Sequence, residues 1–140
     1  MRKIKTGAWI LTLIMIVSSP FSALAAVTAG EGDWDNQGSD EFTNSSEIFL
    51  SGGGDFKICL SSDSQSGYYQ LFEEDPYNPD DKVLSNDGTI GLDFKTAGSN
   101  DFDSNGCHVF KNISGYVDGD QAEFYLEKYS GGNSFVTAWD

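Results

Sequence analysis

Turn-forming residues interrupt this chain so often that no long regular helix can be built from it. Apolar residues never hold helical spacing for three turns, because Gly, Ser, Asn and Asp break every stretch. Strand signals recur instead. Residues 47–51 form a short apolar run ended by Gly52, Gly53 and Gly54. Residues 55–61 alternate, with Phe56, Ile58 and Leu60 on one face and Lys57 and Cys59 on the other. A third strand, 67–74, is rich in Tyr and Phe, and residues 75–80 make a loop with two prolines. Asn86-Asp87-Gly88 tolerates positive φ and predicts a hairpin between 82–85 and 89–95, with Ile90, Leu92 and Phe94 on one face. Residues 107–111 read as a further strand. Residues 121–129 alternate with Ala122, Phe124 and Leu126 inward, and after the turn 130–133 residues 135–139 close a last hairpin. About eight short strands separated by turn chemistry predict an all-β chain, an antiparallel β-sandwich or jelly-roll-like fold.

The first residues are of another kind. Arg2, Lys3 and Lys5 precede an apolar run, 8–17, which is too short to span a bilayer. Ser18, Ser19 and Pro20 break that run, and Ala23-Leu24-Ala25 has the small-x-small form of a signal peptidase site. Residues 1–25 are therefore expected to be a secretory signal peptide, cleaved after Ala25 or Ala26. The mature protein is expected to be secreted, in a bacterial extracellular setting, with no membrane insertion. Residues 26–42 are small, acidic and without clear periodicity, and read as a flexible N-terminal segment in which only Trp34 could dock back. Residues 43–140 read as the β-sandwich domain.

The whole chain carries 8 Lys+Arg against 22 Asp+Glu, net −14. Residues 1–25 hold three of the bases and none of the acids, so the mature part has five lysines, no arginine and 22 acids, hence −17. Nucleic acid is not expected as a partner, since five lysines and no arginine among 22 acids are poorly suited to neutralise phosphates. A basic extracellular protein fits the charge, because opposite fields steer association.

Cys59 and Cys107 both fall in the mature part, and an oxidising compartment predicts a disulfide between them. Their strand positions place such a bridge on an outer face or near a strand end. Cys107 and His108 point to opposite sides of a strand, which argues against a thiol–imidazole pair.

Asp101-Phe102-Asp103-Ser104-Asn105-Gly106 reads D-x-D-x-N-G. This resembles the first half of an EF-hand calcium loop, with oxygens from Asp101, Asp103 and Asn105, the carbonyl of Cys107 next, and Gly106 for the turn. The twelfth position is Asn112 where a bidentate Glu is required, so calcium is an expectation on a β-scaffold and not an EF-hand assignment. Glu73, Glu74, Asp75, Asp80 and Asp81 supply carboxylates that a small glycoside hydrolase would need, but neighbours on a strand diverge and the domain leaves little room for a cleft. Tyr125 and Tyr129 share the polar face of 121–129 with Glu123 and Glu127, Tyr68 and Tyr69 face opposite ways, and Tyr77 sits in the proline loop. Tyr68, Tyr77, Tyr125 and Tyr129 are the candidate binding residues. The expected function is non-enzymatic binding of a carbohydrate or cell-surface ligand, the alternative being an inhibitor- or immunity-type factor for a basic protein.

Overall fold

The computed structural model describes residues 33–95, 98 and 101–140. The expected signal peptide and residues 26–32 lie outside them. Among the described residues nine strands follow one another: β1 Asn36–Phe42, β2 Phe49–Ser51, β3 Phe56–Leu60, β4 Gly67–Glu73, β5 Asp81–Lys82, β6 Leu92–Phe94, β7 Cys107–Phe110, β8 Ala122–Lys128 and β9 Ser134–Trp139. One 3-10 turn, Ile113–Tyr116, precedes β8. All strand pairs are antiparallel. One sheet runs β1-β9-β3-β7, the other β2-β8-β4-β5, with β6 also on β4.

Alternation explains the two layers. β3 and β8 each show buried residues at every second position, and their inner rows meet. Phe56 of β3 and Phe124 of β8, both fully buried, bring their rings to 4.8 Å across the sandwich. Phe42 of β1 meets Tyr69 of β4 edge-on at 6.5 Å. Removing one such buried ring costs about 3–5 kcal/mol, so these contacts hold the layers together.

Three expectations are corrected. Residues 36–42, read as flexible, are the edge strand β1, paired along β9 from Asn36↔Trp139 to Phe42↔Ser134. Only Phe42 of β1 is buried, so the strand rests on backbone bonds and carries little apolar pattern. The run 89–95 is a strand only over Leu92–Phe94. Gly91 at φ 80° turns the backbone, and Ile90 points to solvent, bridged to Leu84. Strands β8 and β9 do not form a hairpin. The turn 130–133 carries the chain across the sandwich, so β8 pairs with β2 and β4 while β9 pairs with β1 and β3. Lys128, on the inner row, donates to the carbonyl of Gly132 in that turn.

The disulfide links Cys59 and Cys107, direct register partners of β3 and β7, on the half-buried outer face. On the same face Lys57 sits between two indoles, 4.1 Å from the Trp34 ring and 5.0 Å from that of Trp139. Trp34 does return to the domain, beyond the end of β1. The outer edge at β7 is closed by a side chain. Asn86 accepts the Lys111 N–H at 2.9 Å and donates to the Val109 carbonyl at 2.8 Å, much as a neighbouring strand would.

Candidate functional site

The register of β4 on β8 builds an aromatic face. Tyr69↔Lys128 and Leu71↔Leu126 form the inner row, so Tyr68, Gln70 and Phe72 take the other face beside Tyr125 and Glu127; Tyr68 is exposed there, whereas Gln70 and Phe72 are covered. Tyr129 follows β8, and its N–H donates to the Tyr68 carbonyl at 3.0 Å. The rings of Tyr68 and Tyr129 meet edge-on at 5.8 Å and remain 43% and 59% exposed. Tyr68 lies across Gly91 and donates its hydroxyl to the Ile90 carbonyl. A β-carbon at Gly91 would collide with the tyrosine ring, so glycine is required there for contact as well as for φ. Further along, Tyr125 stacks on Phe72 with centroids 5.3 Å apart and an interplanar angle of 10°.

Each outer tyrosine of β8 is matched to a carboxylate. Tyr129 donates to Glu127 Oε2 at 2.8 Å, and Tyr125 donates to Asp80 Oδ2 at 2.6 Å. Burial first, then the facing carboxylate, holds both phenols above their usual range, so both act as donors at neutral pH. Tyr77 is 93% exposed at the tip of the proline loop. Asp75 shapes that tip by accepting the N–H groups of Tyr77 and Asn78 and the side-chain amide of Asn78 at 2.8–3.1 Å. The Asn78 amide, then the Tyr77 N–H, hold the Asp75 carboxyl below its ordinary value. The Asp80–Tyr125 bond ties this loop to the face. Tyr68 and Tyr129 are thus brought together, with Tyr125 further along the same face against Phe72 and Tyr77 on the attached loop. Phe72 and Gln70 were missed as members of the face, although the period of β4 places both in the Tyr68 row.

The loop 101–107 is closed by its own backbone. Asp101 Oδ2 accepts the Asp93 N–H at 2.7 Å. Asp103 Oδ1 accepts the N–H groups of Asn105 and Cys107 at 2.8 and 2.9 Å. The Cys107 carbonyl accepts the Asp103 N–H at 2.9 Å. Among the described residues no three His, Cys, Asp or Glu side chains gather closely enough to hold a metal ion. Accordingly, Asp103→Ala is expected to cost about 2 kcal/mol, equally in millimolar calcium and in chelator, by thermal denaturation. A loss that appears only when calcium is present would instead make Asp103 an ion ligand. His108 packs between Phe102 and Phe110, centroids 6.1 and 4.7 Å away, with Nδ1 2.7 Å from the Asp101 carbonyl. This is a structural placement, away from the thiol side of the strand.

A cleft of about 350 Å³ lies where β1 leads toward β2, lined by Asp40, Glu41, Phe42, Ser46, Glu47 and Asn133. Two of its three acids are engaged: Asp40 accepts the Glu47 N–H and Glu41 accepts the Asn133 amide, each at 2.9 Å. None of the candidate tyrosines lines it, and the aromatic face is the better-formed site.

Fold and surface together define an acidic β-sandwich that presents tyrosines and carboxylates on one sheet. The chain belongs to the YndA coiled coil domain family, whose profile matches residues 29–138. It is 38% identical to the uncharacterized protein YndA of Bacillus subtilis (strain 168) over 146 aligned residues, covering the whole of both chains. No solved structure matches it. The family description speaks of a coiled coil, whereas among the described residues the only helical element is the 3-10 turn Ile113–Tyr116.

Proposed function

We propose that this protein is an exported, non-enzymatic binding module whose tyrosine face docks a cell-surface carbohydrate. The observation that carries the reading is the row Tyr129, Tyr68 and Tyr125, the last backed by the buried Phe72, with Glu127 and Asp80 beside it. Sugar rings stack their C–H faces on such aromatic surfaces, and carboxylates accept their hydroxyls. Export rests on the basic, apolar and small-residue pattern of residues 1–25. The second reading is a basic extracellular protein as partner. Leu84 and Ile90, exposed next to Tyr68, favour it, because apolar side chains suit a protein surface better than a glycan.

Sedimentation with insoluble cell-wall material tests the proposal. Tyr68→Ala with Tyr129→Ala is expected to weaken pelleting about tenfold and to leave the melting temperature within about 3 °C, since neither ring belongs to the buried core. This pair is cleaner than one including Tyr125, whose loss would uncover Phe72. Binding that survives high salt supports the glycan. Capture of a basic protein that fades with salt supports the second reading. Pelleting unchanged by the double substitution removes the face from either role.

A further inference from the structure

Glu73 is a carboxyl group driven into the sandwich without a counter-charge. It ends β4 on the inner row after Tyr69 and Leu71, opposite Phe124. It is 3% exposed, and its Oε1 has no hydrogen-bond partner. Four carboxylates act on it: Asp118 from the turn before β8, Glu123 from β8, Asp75 from the following loop, and Asp81 of β5, its register partner. Lys82 of β5 does not serve it, holding its ammonium 6.0 Å from the Phe72 ring on the other face. The Tyr116 hydroxyl from the 3-10 turn is also turned away, towards the Lys82 carbonyl.

We propose that Glu73 is a proton-operated latch on the loop 75–81. Protonated, it lets β4, β5 and the turn 118–121 close over a neutral group. Ionised, it sets five carboxylates against one another at one end of the sandwich and loosens the loop that carries Tyr77 and Asp80. Burial first, then Asp118, Glu123, Asp75 and Asp81, pushes the Glu73 carboxyl up to about 7. A folded value above the ordinary one gives stability that is complete below the ordinary carboxylate range and is lost as pH rises through about 7. Because Asp80 accepts the Tyr125 hydroxyl, loosening this loop also frees one side of the aromatic face. That last consequence rests on the binding role proposed for the face; the latch does not.

Hydrogen exchange of the segment 73–82, corrected for intrinsic rates, tests it at about pH 5.5 and pH 8.5. The wild type is expected to lose protection about tenfold at the higher pH relative to β3, while Glu73→Gln keeps the low-pH level at both. Equal loss in Glu73→Gln, or no loss in the wild type, overturns the latch. Recovery of protection at high pH on adding calcium also overturns it, by showing that a cation and not a proton relieves the cluster. Should Glu73→Gln not fold, Glu73→Leu takes its place, with the same outcomes. Pelleting measured at both pH values separates the two ideas: pH-dependent exchange with no pelleting at either pH sinks the glycan reading and leaves the latch standing.

Discussion

Replacing Cys59 and Cys107 together by alanine is expected to lower the unfolding free energy by about 4 kcal/mol. The two cysteines are separated by 48 residues, so the bridge removes a long loop from the freedom of the unfolded chain. The native side changes less, because Cys59 and Cys107 already face each other in the β3–β7 ladder, which continues to Phe56↔Phe110. For a domain of this size the melting temperature should fall by about 15 °C. Urea unfolding of the wild type and the double variant, with and without reductant, checks it. The wild type in reductant should approach the variant. Coincident midpoints for all four samples would mean that the bridge contributes nothing beyond the ladder.

The second large effect is expected at Asp140. Its buried carboxylate accepts the Ser51 hydroxyl and, at 3.0 Å, the Gly52 N–H. Ser51 belongs to β2 and Asp140 follows β9, so these bonds cross from one sheet to the other. The backbone of Asp140 also exchanges two bonds with Asp35, at 2.8 and 2.9 Å, which extends the β1–β9 edge. Asp140→Ala keeps the backbone pair but strands the buried Ser51 hydroxyl and releases the Gly52 N–H. The expected cost is about 3 kcal/mol, with Asp140→Asn costing less because one acceptor survives. In a cycle with Ser51→Ala, the two substitutions should be non-additive by more than about 0.5 kcal/mol. Strict additivity would show that the Ser51–Asp140 bond does not join the sheets.

Much of the aromatic face could be read from the chain. The period of two in 121–129 sends Tyr125, Glu127 and Tyr129 to one side, and adjacency sends Tyr68 and Tyr69 to opposite sides; Tyr68 is exposed and Tyr69 fully buried. What periodicity does not contain is the neighbour. Tyr68 reaches Tyr129, and Phe72 reaches Tyr125, only because β4 lies against β8 in one particular register. The acidic loop shows the converse. Its spacing is that of a half calcium site, and Asp101 and Asp103 each also turn one oxygen to amides of β6 or of their own loop, donors that only folded backbone places. Glu73 was read as one acid among adjacent acids. Its burial follows from β4 continuing its inner row one residue past the last apolar side chain.

Alone, the order of residues decided most of the strands and their inward faces, because alternation and turn propensity act over a few neighbouring residues. The folded molecule alone decided that β9 leaves β8 for the other sheet, that β1 is a strand, and that Glu73 and the tyrosine row meet the groups they do. Those outcomes depend on contacts between residues far apart in the chain. Their energies come from fitting one layer on another, and no local window of sequence contains both partners.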